Sequence, residues 1–75
     1  MPKLPQVSGP EASRAFGRIG YVPTRIRSSH HILTHPQRPL LSVPVHGNRP
    51  IRPGTLRSLI RDAGLTLAEF IALLD

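Results

Sequence analysis

The stretch Arg27-Ser28-Ser29-His30-His31-Ile32 sets two imidazoles and two hydroxyls beside a guanidinium, inside a β-prone run. An imidazole can take and give a proton near neutral pH. A guanidinium attracts phosphate. A proton carrier among phosphate binders is the minimum equipment for cutting RNA. Two other readings compete: an RNA-binding surface without chemistry, and a solvated strand edge. Successive strand residues point to opposite faces, so only one of His30 and His31 can serve a given site. His31, Leu33 and His35 would share one face, and His30, Ile32 and Thr34 the other. Each face carries one aliphatic residue, so the pattern leaves open which is buried. Ser29 could orient a neighbouring histidine or bond a phosphate; a simple turn hydroxyl fits equally. Arg25 and Arg27 alternate and can face one side, either as phosphate contacts or as charges protecting an edge strand. His46 opens a turn and is a candidate second proton carrier, with a surface turn residue as the simpler reading. The spacing argues against a metal site: His31 and His35 would stand about 13–14 Å apart along a strand, too far to share one ion.

These residues sit in a chain of 75 residues, short enough for one domain spanning 1–75 and for a marginal core. No cysteine is present to add a disulfide or a thiolate metal site. Ten Lys/Arg against four Asp/Glu give a net charge of +6. That excess favours polyanionic partners. A membrane role is disfavoured, because no apolar run approaches the roughly 20 residues needed to span a bilayer. The start, Met1-Pro2-Lys3-Leu4-Pro5, lacks the apolar core of a signal peptide, so a cytoplasmic location is expected. The aromatic residues are Phe16, Tyr21 and Phe70, too few for an evident base-stacking platform.

The positioning elements follow from periodicity and breakers. Residues 1–7 are proline-rich and expected to be extended. Ser8 and Glu11 have capping-box spacing, and Pro10 falls in the first turn of the helix they open. Ala12, Ala15, Phe16 and Ile19 form its apolar stripe, and Gly20 is placed to end it in a left-handed conformation. Three β-prone runs follow, Tyr21–Arg27, Ser29–His35 and Leu40–His46. Pro23 and Pro44 lie in the outer runs and the middle run has none, which predicts an antiparallel meander with the middle run central. Leu41, Val43 and Val45 alternate with Ser42, Pro44 and His46, so one face is buried and one open. After the turn His46-Gly47-Asn48-Arg49, Pro53 opens a second helix with Leu56, Leu59, Ile60 and Ala63 inward, stopped by Gly64. Thr66 and Glu69 make a second capping box for a short C-terminal helix within 66–75. Arg14/Arg18 and Arg57/Arg61 read as solvated helix faces, or as a diffuse RNA-binding surface. The expected fold is α+β, in the order α-β-β-β-α with an extra short C-terminal helix. Two helices on one sheet face would leave the other face free.

With these elements in place, the chain resembles the HicA-type toxins, the mRNA interferases of HicAB toxin–antitoxin modules. The resemblance rests on Leu4-Pro5 before Ser8-Gly9, on Gly20-Tyr21, Arg25, Ser29-His30-His31-Ile32 and His35-Pro36. It continues through Val43-Pro44-Val45-His46-Gly47-Asn48, Pro53-Gly54-Thr55-Leu56-Arg57-Ser58 and Ala63-Gly64-Leu65. It implies a double-stranded-RNA-binding-domain-like fold and metal-independent RNA cleavage without a cofactor. It also implies inhibition of translation and neutralisation by a HicB-type antitoxin. The family's Gly-Ser-His motif carries its functional histidine, which corresponds to His30 here, preceded by Ser29. The glycine position is Ser28, and a glutamine common after the arginine is Ile26. Glycine holds backbone angles that serine adopts only at a cost, so the turn that aims His30 is where this chain departs from the family.

Three functions are therefore weighed: an endoribonuclease toxin acting on mRNA, a non-catalytic RNA-binding module of the same fold, and a chain kept mainly for its antitoxin complex. An antitoxin covering a +6 protein is expected to present carboxylates. No helix-turn-helix pattern is present, so specific DNA binding by this chain alone is not expected.

Overall fold

The computed structural model describes residues 3–74. The chain order is α1 (Gly9–Gly17), β1 (Val22–Arg27), β2 (His30–Thr34), β3 (Leu41–Pro44), α2 (Pro53–Asp62) and α3 (Leu67–Leu73). This is the expected α-β-β-β-α order with a short C-terminal helix. Met1, Pro2 and Asp75 lie outside the described residues, and residues 3–7 carry neither helix nor strand.

The sheet is antiparallel in the order β1-β2-β3. The proline-free strand is central, so its backbone is paired on both sides, as the ladder requires. Register decides the faces. Leu33 pairs with Leu41 and His31 with Val43, while Ile32 pairs with Ser42 and His30 with Pro44. Leu33, Leu41 and Val43 are core residues, so His31 and Leu33 face the helices and His30 and Ile32 face away. On β1, Arg25 pairs with Ile32 and Arg27 with His30, so both arginines join His30 on the open face. An irregularity between Pro23 and Arg25 sets this phase. Thr24 is the extra residue, and its hydroxyl donates to the Ile32 carbonyl at 3.4 Å. Without the bulge, Arg25 and Arg27 would fall in phase with Pro23, the partner of core-facing Leu33.

The helices pack over β3 and over one another, and α3 lies against both α1 and α2. Phe16, Leu56 and Phe70 are fully buried between these layers, with Leu33, Leu41 and Val43 supplied by the sheet. The short C-terminal helix thus closes the core of its own chain. Every residue of β1 is exposed.

Both capping boxes form. Ser8 accepts from the Glu11 N–H at 3.3 Å, and Glu11 accepts from the Ser8 N–H at 3.0 Å. Thr66 and Glu69 do the same at 3.1 and 2.8 Å. The backbone N–H and hydroxyl of Ser8 hold the Glu11 carboxyl below its ordinary pKa, and those of Thr66 do the same for Glu69.

Helices α1 and α2 end alike. After α1, the Tyr21 N–H reaches back to the Phe16 carbonyl and the Gly20 N–H to that of Gly17. After α2, Leu65 bonds to Ile60 and Gly64 to Arg61. This double closure is the Schellman motif, which puts its glycine at positive φ. Gly20 and Gly64 have φ of 106° and 79°. Tyr21 packs edge-on against Phe16 with ring centroids 5.9 Å apart, supplying the apolar contact that accompanies such a closure. The α-helix proper therefore stops at Gly17, and Ile19 lies half-buried in the closing turn.

Candidate active site

Ser28 and Ser29 form the two-residue loop between β1 and β2. Such a tight hairpin needs positive φ in its loop, most often from glycine or asparagine. Ser28 has φ 52°, the sole non-glycine residue at positive φ among those described. The position where the resemblance implies glycine is thus one that does adopt the glycine-favoured conformation. His30 follows directly and begins the central strand.

The pairing of β2 and β3 continues beyond the strand ends. The Val45 N–H donates to the Ser29 carbonyl at 2.7 Å. Val45 packs on the core, so His46 returns to the side of Pro44 and His30. A cleft of about 630 Å³ results, lined by His30, Ser42, Pro44, His46, Arg49, Arg52 and Thr55 among others. His30 and His46 are exposed, and neither side chain has a hydrogen-bond partner among the described residues. Among the described residues, no carboxylate lines the cleft. Helix α2 starts at its rim, and Arg52, at the N-cap, supplies no side-chain cap. The positive end of that helix therefore adds to the field of Arg49 and Arg52. On the other side of His30, a shallower depression is lined by Arg27, His30, Ile32 and Ser42. It leads to another bounded by Thr24, Arg25, Arg27, Ile32 and Leu40. His30 lines both the main cleft and the shallower depression, and so stands between arginines on two sides.

The structure brings together His30, His46, Arg25 and Arg27 on the open face. It sends His31 to the opposite face, half-buried beside Val43 and Ile26. Ser29 holds Val45 through its backbone, and its hydroxyl makes no hydrogen bond to His30. Arg14 and Arg18 lie by Gln6 and Leu73, and Arg57 and Arg61 by Leu4 and Leu67, away from the cleft. Sequence reasoning did not nominate Arg49, Arg52, Thr55 or Ser42. A signal for the first three was present: two arginines flanking Pro50 and Ile51, immediately ahead of a proline-led helix start, a position suited to anions.

His35 has no part in this site. Its Nδ1 accepts from the Gln37 N–H at 3.0 Å, so Nε2 carries the proton that it shares with the Ile19 carbonyl at 2.8 Å. Its ring lies tilted against that of Tyr21, with centroids 5.0 Å apart. Three residues on, Arg38 donates to the Ala63 carbonyl.

Fold and cleft together define a small basic α+β domain with helices on one sheet face and an open, arginine-flanked histidine face on the other. Residues 9–65 match the family described as HicA toxin of bacterial toxin–antitoxin, and the chain belongs to that family. It is thereby a toxin component, with an antitoxin as partner. A comparison with curated proteins finds no match. No helix among the described residues is long and apolar enough to cross a membrane.

Proposed function

We propose that this toxin is a metal-independent endoribonuclease that inhibits translation by cutting mRNA, with His30 as a general acid/base. The observation that carries the reading is the placement of His30: exposed, with no side-chain partner among the described residues, on the open face between two sets of arginines, in a cleft to which the described residues bring no carboxylate. The substrate supplies its own nucleophile, the ribose 2′-OH, which attacks the adjacent phosphorus. The protein moves protons and offsets the charge that builds on the phosphoryl oxygens. A positioned histidine contributes about 10²–10⁴-fold through proton transfer. Arg27, Arg49 and Arg52 are placed to stabilise the developing negative charge. The expected ends are a 2′,3′-cyclic phosphate, or the 3′-phosphate from its hydrolysis, and a 5′-OH. A HicB-type antitoxin with a carboxylate-rich surface would block the same face.

The test is to incubate the purified chain and its His30→Ala variant with RNA in EDTA and map the ends. Cleavage by the first and not the second, with RNA binding kept in both, supports the proposal. Binding without cleavage by the unmodified chain would leave a non-catalytic RNA-binding module. Cleavage restored only by Ser28→Gly would mark a chain kept mainly for its antitoxin complex.

A further inference from the structure

In-line displacement at phosphorus puts the entering 2′-oxygen and the leaving 5′-oxygen on opposite sides of the phosphorus. The entering oxygen must lose a proton while the leaving oxygen gains one. A single imidazole reaching from one side serves one of these oxygens at a time. The open face offers a second proton carrier. His30 pairs with Pro44, the ladder runs on through Ser29 and Val45, and His46 lies two residues past Pro44 on the same face. Diagonal neighbours of this kind stand about 7–8 Å apart across an antiparallel pair. Both imidazoles line one cleft of about 630 Å³. The two rings make no hydrogen bond to one another, and a backbone spacing of that order can admit a phosphodiester between them. The charged groups facing the pair are Arg27 from β1 and Arg49 and Arg52 from the segment before α2. Ser42 of β3 and Thr55 of α2 supply hydroxyls. Every charged side chain that the described residues bring to the pair is thus cationic.

Resting on the cleavage reading above, we infer that His30 and His46 are a catalytic pair, one the general base and the other the general acid, with the scissile phosphate between them. The neutral imidazole takes the 2′-OH proton as the 2′-O–P bond forms and the P–O5′ bond breaks. The imidazolium gives its proton to the departing 5′-oxygen. Protons balance, and the two rings end in exchanged states that water resets.

The experiment measures the pH–rate profile of the full chain, His30→Ala and His46→Ala on two RNA substrates. One has the natural linkage, and the other has sulfur replacing the bridging 5′-oxygen, a leaving group that needs no protonation. RNA affinity is measured on a substrate with deoxyribose at the cleavage site. The expected result on the natural linkage is a bell-shaped profile for the full chain and a loss of about 10²-fold or more in kcat for His46→Ala. One limb of the bell disappears in each variant. Only one of the two variants recovers on the sulfur linkage, and the recovered one identifies the acid. His46→Ala with an unchanged bell overturns the pairing while leaving His30 standing. So does a loss confined to RNA affinity, or recovery of both variants or of neither. His30→Ala with full activity overturns the role of His30 and the pairing with it, and a full chain that cuts neither substrate overturns the cleavage reading itself.

Discussion

The two ends of the sheet carry the same residue types and use them in opposite ways. At one end, His35 and Arg38 sit in the β2–β3 connection and each is consumed by a backbone carbonyl just past a helix, Ile19 after α1 and Ala63 after α2. These are corresponding positions in the two Schellman closures, where orphan carbonyls need donors. At the other end, His30 and His46 face Arg27, Arg49 and Arg52, and neither imidazole has a partner among the described residues. An imidazole with both nitrogens bonded to its own backbone has neither left to meet a substrate, whereas one with both free has two to offer. Hydrogen-bond occupancy, not residue type, separates the clamp from the candidate site.

That contrast can be broken most strongly at Gly9. A Cβ there would lie 2.5 Å from the Pro44 oxygen and 2.8 Å from the Val45 Cα, both backbone atoms. Gly9→Ala should cost about 2–3 kcal/mol by overpacking. It should also lower RNA cleavage in the molecules that remain folded, because the strand that leads to His46 must shift. Urea unfolding and cleavage of RNA at low temperature check the two parts.

At the clamp end, His35→Ala orphans the half-buried Ile19 carbonyl and removes the acceptor of the Gln37 N–H. About 2 kcal/mol of stability should be lost, read as a lower urea midpoint with the slope unchanged. Acid should weaken the capping boxes. Both carboxyls have pKa values below their ordinary ones, so their contribution is complete above the ordinary carboxyl range. It is lost as pH falls through the lowered folded-state values. A Glu11→Gln/Glu69→Gln variant should therefore show a smaller fall in melting temperature between about pH 5 and pH 2 than the unmodified chain. The smallest effect belongs to the turn. Ser28→Gly relieves about 1 kcal/mol of left-handed strain but adds about 0.5–1 kcal/mol of chain entropy to the unfolded state. Stability should change by no more than about 0.5 kcal/mol, and the cleavage rate by no more than a few-fold. A large gain in cleavage would show that serine misdirects His30.

The sequence made the clamp's partners harder to see than the elements themselves. Ser8/Glu11, Thr66/Glu69 and the glycines after both helices are local signals, and each acts as its spacing requires. Proline placement gave the strand order because a central strand cannot spare ladder donors. Ile32 and Leu33 could not be told apart by type, and it took the register against Leu41, Val43 and Ser42 to assign their faces. The bulge at Thr24 carries no glycine to mark it, although it decides where Arg25 and Arg27 point. The bonds from His35 to Ile19 and from Arg38 to Ala63 span 16 and 25 residues, beyond the reach of any local pattern. For the candidate site, family resemblance singles out His30, and the structure sets it in one cleft with His46. Arg49 and Arg52 joined it only through the path of the chain after β3, fixed by the Ser8–Pro50 bridge and the Ile51–Val7 hydrogen bond.

The most direct measurement sets His30→Ala beside His35→Ala and records, for each, the urea midpoint and RNA cleavage in EDTA per folded molecule. The account predicts that His30→Ala keeps the unmodified midpoint and loses cleavage by about 10²-fold or more, while His35→Ala loses stability and keeps cleavage. Cleavage surviving in His30→Ala, or abolished in folded His35→Ala, would contradict it.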